Sequence, residues 1–194
     1  CCTVNDWPAC LKLVDRFRGI KFGDDVRSEI IDDRLEKINL AISEIRSKQR
    51  LSEQEDHRYR QLFIVQYKKI HGRKKIIQGK DFRLFRRLVT AFSLIQDPYL
   101  VPMVLRQVER NPDERLMKSA INYFRRFPNR TIIGRRLSSF LVSPLNIFEH
   151  QEALAIRALR YLRVIPRKAV AHAKRVAFSK RNHPYVRVES VLLL

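Results

Sequence analysis

The chain contains only 5 glycines and 8 prolines among 194 residues, and it has no long apolar run. Scarce glycine and proline favour helices, because these two residues interrupt regular elements. No stretch sustains the alternation of apolar and polar residues that marks a half-buried strand. The longest apolar runs, such as residues 191–194, are far below the ~20 residues needed to cross a bilayer. We therefore predict an all-α protein of the cytoplasm, with no membrane as a partner.

Cysteine is also scarce, and all three cysteines lie near the start of the chain, at Cys1, Cys2 and Cys10. Their number is odd, and no His or further Cys stands nearby at the spacing of a tetrahedral zinc site. We therefore predict no metal and no cofactor. The chain does not begin with Met, and its last ten residues resemble the opening of an uncapped helix. These two features indicate part of a longer protein.

Acidic residues are scarce in one part of the chain only. Through Asp56 there are 12 Asp and Glu against 10 Lys and Arg, whereas from His57 onward there are 8 against 30, a balance of +22. A folded surface with so much positive charge repels itself, and a bound polyanion relieves that repulsion. Nucleic acid is therefore the first candidate partner, with RNA or single-stranded DNA favoured.

Apolar residues at helical spacing predict an antiparallel helical hairpin over residues 25–71. Asp24 and Asp25 stand where N-caps stand, and Ser52 with Glu55 has the spacing of a capping box. The apolar stripe of the first helix is Ile31, Leu35, Ile38, Ile42 and Ile45. The stripe of the second helix is Leu62, Val65 and Ile70.

An internal repeat follows the basic connector of residues 72–79, so we predict a connector region at 1–79 and a repeat domain at 80–194. The repeat is visible as three sequence matches: 120–127 with 155–162 at an offset of 35, 92–95 with 124–127 at 32, and 111–120 with 182–191 at 71. Prolines separate the helices, at Pro98, Pro112, Pro128, Pro144, Pro166 and Pro184. Paired helices at this period predict an α-solenoid.

The segment from Asn182 to Arg187 resembles the start of a HEAT repeat, in which a proline opens a helix and an arginine follows within the first turn. The resemblance covers roughly residues 82–194. It implies HEAT-like helix pairs stacked so that equivalent positions lie side by side. A basic residue at such a position then becomes a basic stripe along one face.

Arginine and lysine recur through the repeat region, and arginine matches phosphate oxygens bidentately. Arg157, Arg160 and Arg163 fall within one arc of a predicted helix. In the helix after Pro166, an apolar stripe of Ala169, Ala173, Val176 and Ala177 leaves cations on the other side, with His172 beside them. The full predicted set for phosphate binding is Arg73, Lys74, Lys75, Arg125, Arg126, Arg130, Arg135, Arg136, Arg157, Arg160, Arg163, Arg167, Lys168, Lys174, Arg175, Lys180 and Arg181.

Aromatic residues lie among these cations. Tyr123, Tyr161 and Tyr185 are candidates for stacking on unpaired bases, and ordinary packing in the core is the alternative for each. No residue that reads base identity is apparent, because phosphate contacts position a nucleic acid without specifying its sequence.

Three patterns are compatible with catalysis. The run from Phe22 to Asp25 is similar to the paired aspartates of polymerases, although helix capping explains it as well. Arg167 with His172, and Arg50 with His57, resemble the motif of HEPN ribonucleases. A DNA glycosylase on a HEAT-like scaffold needs an aspartate in its groove, and the candidates Asp81, Asp97 and Asp113 all precede helices, where they serve as caps.

A basic, all-α, HEAT-like region after a helical connector resembles the C-terminal extension of bacterial reverse transcriptases of the abortive-infection and defence type. The residues that carry this resemblance are 82–105 and 111–194. It implies an accessory module that grips template, product or a partner subunit, with the polymerase aspartates upstream of Cys1.

The sequence therefore predicts a non-catalytic, nucleic-acid-binding α-solenoid module that recognises the phosphate backbone. One alternative is a protein-interaction scaffold, which receives an acidic partner or a second copy through the stripe from Ile31 to Ile45. The other alternative is the HEPN-like nuclease or HEAT-like glycosylase.

Overall fold

The computed structural model describes residues 22–71, 77–110, 113–142 and 148–194, with the backbone alone for 22–29, 71 and 80. Over these ranges it contains nine α-helices, one 3-10 helix and no strand, which confirms the all-α prediction. None of the helices in the described ranges has the length and apolarity to span a membrane. The helices are α1 (Phe22–Ser47), α2 (Glu53–His71), α3 (Lys80–Leu94), the 3-10 helix (Pro98–Leu100), α4 (Val101–Arg110), α5 (Glu114–Phe124), α6 (Thr131–Leu141), α7 (Glu149–Leu159), α8 (Arg167–Phe178) and α9 (Pro184–Leu193).

From α3 onward the helices alternate between two rows. Helices α1, α3, α5, α7 and α9 pack against one another in that order, and α4, α6 and α8 form the second row. Helix α2 packs mainly on α3. One hydrophobic cluster runs from Leu35 to Leu193, across the start of α3 where we place the domain boundary. This alternation is compatible with stacked helix pairs, and the HEAT-like solenoid stays a prediction.

Helices α5 and α7 both begin and end 35 residues apart, as the strongest sequence match predicts. Their C-caps, Arg125 and Arg160, are the aligned residues. The other two matches do not coincide with helix ends: α3 and α5 end 30 residues apart rather than 32, and α5 and α9 begin 70 apart rather than 71.

The apolar stripe of α1 is confirmed, since Ile31, Leu35, Ile38, Ile42 and Ile45 are all at most 7% exposed. The helix packs on α3, so the stripe is used within the chain and leaves no open apolar seam there for a second copy. The sequence predicted Asp24 and Asp25 as N-caps, but this prediction is wrong. Both residues lie within α1, which spans Phe22–Ser47.

The N-terminus of α2 is closed by the predicted capping box. Ser52 Oγ accepts from Glu55 N at 3.2 Å, and Glu55 Oε2 accepts from Ser52 N at 3.0 Å. Of the predicted apolar stripe, Ile70 is buried as expected, whereas Val65 is exposed and Leu62 is only partly buried. Aromatic rings bury more area than the aliphatic side chains, and they turn another face of the helix inward. That face is Tyr59, Phe63, Gln66, Tyr67 and Ile70.

Two of the three predicted aspartate caps are confirmed. Asp97 Oδ1 accepts from Tyr99 N at 2.8 Å, and Asp113 Oδ1 accepts from Leu116 N at 2.9 Å. Asp81 lies in the first turn of α3, whose N-cap is Gly79 at a φ of 62°, a conformation that favours glycine. Pro98, Pro166 and Pro184 stand at helix starts as predicted, whereas Pro112 and Pro144 lie outside the described residues.

Candidate nucleic-acid interface

The predicted phosphate-binding residues differ in the partners that the structure gives them. Arg73, Lys74 and Lys75 lie outside the described residues. Arg136, Arg157 and Arg160 are in ion pairs with carboxylates. The remaining members are exposed and have no carboxylate partner within the described ranges: Arg125, Arg126, Arg130, Arg135, Arg163, Arg167, Lys168, Lys174, Arg175, Lys180 and Arg181.

The predicted arc of Arg157, Arg160 and Arg163 on one helix face is wrong. Helix α7 ends at Leu159, so Arg160 is its C-cap and Arg163 lies in the following loop. Arg157 Nε and Arg160 Nη1 donate to the carboxylate of Glu189 on α9, at 2.9 Å and 3.0 Å. Glu189 is 2% exposed. These two arginines therefore join α7 to α9.

A second ion pair joins α4 to α6. Arg136 Nε donates to Glu109 Oε1 at 2.5 Å, and Arg136 Nη2 donates to Glu109 Oε2. The hydrogen bonds from Arg136 to Glu109 raise the pKa of the guanidinium. Arg136 is thus paired with a carboxylate of the same chain, and we do not count it among the cations that are available to a ligand.

The apolar stripe of α8, which is Ala169, Ala173, Val176 and Ala177, is buried as predicted. His172 is also buried, and of the exposed cations Arg175 lies beside it. Its Nε2 lies 2.6 Å from Glu152 Oε1, and Arg175 Nη2 lies 3.0 Å from its Nδ1. Because a guanidinium only donates, Nδ1 accepts and Nε2 carries the proton towards Glu152.

The residues of the catalytic alternatives are spread over separate places. Arg167 is exposed at the start of α8, whereas His172 is buried on another side of that helix. Arg50 and His57 are exposed, in the α1–α2 connection and on α2. Asp97 is buried in its cap, where Arg60 Nε lies 2.5 Å from Oδ2. The described residues contain no group of three His, Cys, Asp or Glu side chains that could hold a metal ion.

The three candidate stacking tyrosines are in different environments. Tyr123 is fully buried, and its hydroxyl donates to Asp97 O at 2.7 Å and accepts from Leu100 N at 3.1 Å. Tyr123 is therefore a core residue. Tyr161 is 40% exposed and Tyr185 is 38% exposed, so both rings are open to solvent.

An open cleft of about 240 Å³ lies where the C-terminal turns of α1, α3 and α5 meet. Its lining contains three arginines, four uncharged polar residues and one leucine, and no acidic residue. The lining residues are Arg46, Thr90, Ser93, Leu94, Ser119, Asn122, Arg125 and Arg126. Helix C-termini carry partial negative charge, which favours cations at this edge. We call this site the arginine cleft.

The hydroxyl groups of the arginine cleft donate within the chain. Thr90 and Ser119 donate to carbonyls one turn earlier in their own helices, and Ser93 Oγ donates to Asn122 O at 3.2 Å. The donors that remain for a bound anion are therefore the arginines and the exposed Asn122 amide. Arg46, Arg125 and Arg126 have no ion-pair partner among the described residues.

Sequence reasoning found Arg125 and Arg126 but missed Arg46. Arg46 stands in the last turn of α1, within the part of the chain that has a balance of −2. The basic residue in a last helical turn is a signal visible in sequence, but only the packing of α1 on α3 brings it to α5.

Comparison with protein-family models, with curated proteins and with solved structures found no match for this chain. The resemblances to HEAT repeats and to reverse transcriptases therefore stay predictions, and the function is argued from the site.

Proposed function

We propose that this chain binds nucleic acid through its phosphate backbone, with the arginine cleft as the anchoring site. The observation that carries the proposal is a cleft lined by three arginines and no carboxylate. Two of the three, Arg125 and Arg126, belong to the part of the chain with a balance of +22. An anion in the cleft would meet guanidinium donors that no ion pair occupies, and that positive excess would attract a polyanion from solution.

Most of the acidic residues of the basic part are engaged elsewhere, which supports this proposal. Glu109 and Glu189 pair with arginines, Asp97 with Arg60, and Glu152 with His172. Asp113 caps α5. None of these carboxylates lines the arginine cleft, so the positive charge there is not neutralised from within the described chain.

In this proposal the chain is non-catalytic and acts as a binding module, with RNA or single-stranded DNA as the favoured ligand. The resemblance to the C-terminal extension of reverse transcriptases adds the proposal that the module serves a larger polymerase. The HEAT-like solenoid would extend the contact along the exposed cations of later repeats, such as Arg163 and Arg181.

The test compares two double variants that remove the same charge. We expect Arg46→Ala with Arg126→Ala to weaken binding of a labelled 20-nucleotide single strand by roughly 10-fold, because two charge-assisted contacts are lost. The control, Arg83→Ala with Arg110→Ala, removes two exposed arginines outside both the arginine cleft and the predicted phosphate-binding set, and we expect less than a 3-fold change. Fluorescence anisotropy at ~0.1 M salt measures both.

Two results would overturn the proposal. Absence of binding by the unaltered protein at low salt removes nucleic acid as the ligand. Equal losses in the two double variants would show that binding follows overall charge, and the arginine cleft would lose its role.

A protein-interaction scaffold is the second candidate, and one observation favours it. The outer face of α9 is apolar, with Val188, Val191 and Leu192 each more than half exposed. Association of two copies through this face would persist at high salt, because apolar contacts are not screened. Sedimentation at 1 M salt tests this candidate, and a monomer at every concentration contradicts it.

A further inference from the structure

We infer that Arg125 and Tyr161 form a stacking subsite for an unpaired base beside the arginine cleft. This inference rests on the proposed function and adds a preference for single strands over duplexes. The guanidinium carbon of Arg125 lies 5.3 Å from the centroid of the Tyr161 ring. The same Arg125 lines the arginine cleft, so the ring stands next to the proposed phosphate site.

The contact between the two residues fixes the guanidinium in place. Arg125 caps α5, and Tyr161 follows the end of α7, its neighbour in the row. A guanidinium over an aromatic ring keeps the N–H groups at its edge available for hydrogen bonds. Arg125 can therefore bind a phosphate while it remains in contact with Tyr161.

The exposed part of the tyrosine ring supplies the surface for a base. Tyr161 is 40% exposed, and every nucleobase has a face that stacks on an aromatic ring. The bases of a duplex are stacked on one another and cannot reach such a ring without being unpaired. A strand bound at the arginine cleft places a base next to this ring only if that base is free.

Arg157 and Tyr185 form a second arginine–tyrosine contact, which differs from the contact between Arg125 and Tyr161 in one respect. The guanidinium carbon of Arg157 lies 5.5 Å from the centroid of the Tyr185 ring, which is 38% exposed. Arg157 is bound to the buried Glu189, which occupies its Nε and Nη2 donors. Arg125 has no carboxylate partner in the described ranges, so of these two pairs only Arg125 with Tyr161 combines an exposed ring with an unpaired cation.

The experiment uses the full chain and three labelled ligands of equal length, which are a single strand, the same strand with abasic sites, and a duplex. The abasic strand keeps the phosphates and lacks the bases. We expect the single strand to bind about 5- to 10-fold more tightly than the abasic strand, and more tightly than the duplex. This comparison uses the unaltered protein, so the result does not depend on whether a variant folds.

Substitutions assign the preference to one residue. Tyr161→Ala should bring the ratio between the normal and abasic strands close to 1, Tyr161→Phe should retain it, and Tyr185→Ala should leave it unchanged. A preserved ratio in Tyr161→Ala, or a duplex bound as tightly as the single strand, overturns the inference. Equal binding of normal and abasic strands by the unaltered protein overturns it too, while the proposed function stands. Absence of binding to all three ligands removes the proposed function itself.

Discussion

Arg157 on α7 donates from Nε to the carboxylate of Glu189 on α9 at 2.9 Å, and Glu189 is almost fully buried. A residue predicted to bind phosphate therefore holds two helices of the chain together. The only acidic residue after Glu152 thus compensates two neighbouring arginines, since Arg160 binds the same carboxylate.

The first prediction concerns the two sides of this ion pair. Glu189→Gln leaves two arginines that are partly exposed and can be hydrated, so we expect a loss of about 1–2 kcal/mol in the free energy of unfolding. Arg157→Ala with Arg160→Ala leaves a buried carboxylate without a partner, and we expect a loss of about 3–5 kcal/mol. Urea unfolding followed by circular dichroism measures both, and an equal loss in the two variants would contradict this asymmetry.

The second prediction is a pH dependence. Burial raises the pKa of Glu189, but the hydrogen bonds from Arg157 and Arg160 outweigh it and lower the pKa below 4.5. A lowered pKa means that the stabilisation is present above pH 4.5 and is lost as the pH falls through the folded-state value. We expect the stability difference between the unaltered protein and Glu189→Gln to shrink steadily below pH 4.5. A difference that stays constant down to about pH 2 would contradict this assignment.

The sequence was informative where structure follows from local spacing. The stripe of α1 and the capping box at Ser52 are properties of neighbouring residues. The 35-residue offset between α5 and α7 follows from the match between two short segments of sequence. The stripe of α2 was mispredicted because aromatic and aliphatic residues compete for the inner face, and packing against α3 decides between them.

The site was predicted less well, because it depends on contacts between distant segments. Arg157 and Glu189 are 32 residues apart, so nothing local indicates that this arginine is paired. Arg46 joins Arg125 only through the packing of α1, α3 and α5. Charge composition is the basis for proposing a polyanionic partner, but it does not separate arginines in internal ion pairs from those that are available to a ligand.

The third prediction tests the buried tyrosine of α5. The hydroxyl of Tyr123 donates to Asp97 O and accepts from Leu100 N, so Tyr123→Phe removes two buried hydrogen bonds between α5 and the 3-10 helix. For Tyr123→Phe we expect a loss of about 1–3 kcal/mol in the free energy of unfolding. The control is Tyr161→Phe, which removes a hydroxyl from a half-exposed ring and should change the free energy of unfolding by less than about 0.5 kcal/mol. Comparable values for the two variants would show that the buried hydroxyl contributes little.

The fourth prediction concerns the close approach of α6 to the loop between α7 and α8. A Cβ atom at Gly134 would lie 3.0 Å from Leu162 Cδ1 and 3.2 Å from Pro166 Cγ. We expect Gly134→Leu to lower the free energy of unfolding by about 1–3 kcal/mol, because the added atoms overpack this contact. Ser139→Leu, at an exposed position of the same helix, should have little effect. Thermal unfolding measures both variants, and an equal shift of the unfolding temperature in the two would contradict the close packing at Gly134.

The last prediction uses salt to count the phosphates held by the arginine cleft. For a single strand, the logarithm of the affinity falls with the logarithm of salt concentration by about 0.7 per phosphate contact. Replacing Arg46, Arg125 and Arg126 by Ala should therefore make this slope shallower by about 2. The matched triple variant of Arg83, Arg106 and Arg110 removes the same charge from exposed positions outside both the arginine cleft and the predicted phosphate-binding set, and it should change the slope by less than about 1. Anisotropy titrations at four salt concentrations give both slopes, and a cleft variant with an unchanged slope would show that these arginines do not contact phosphate.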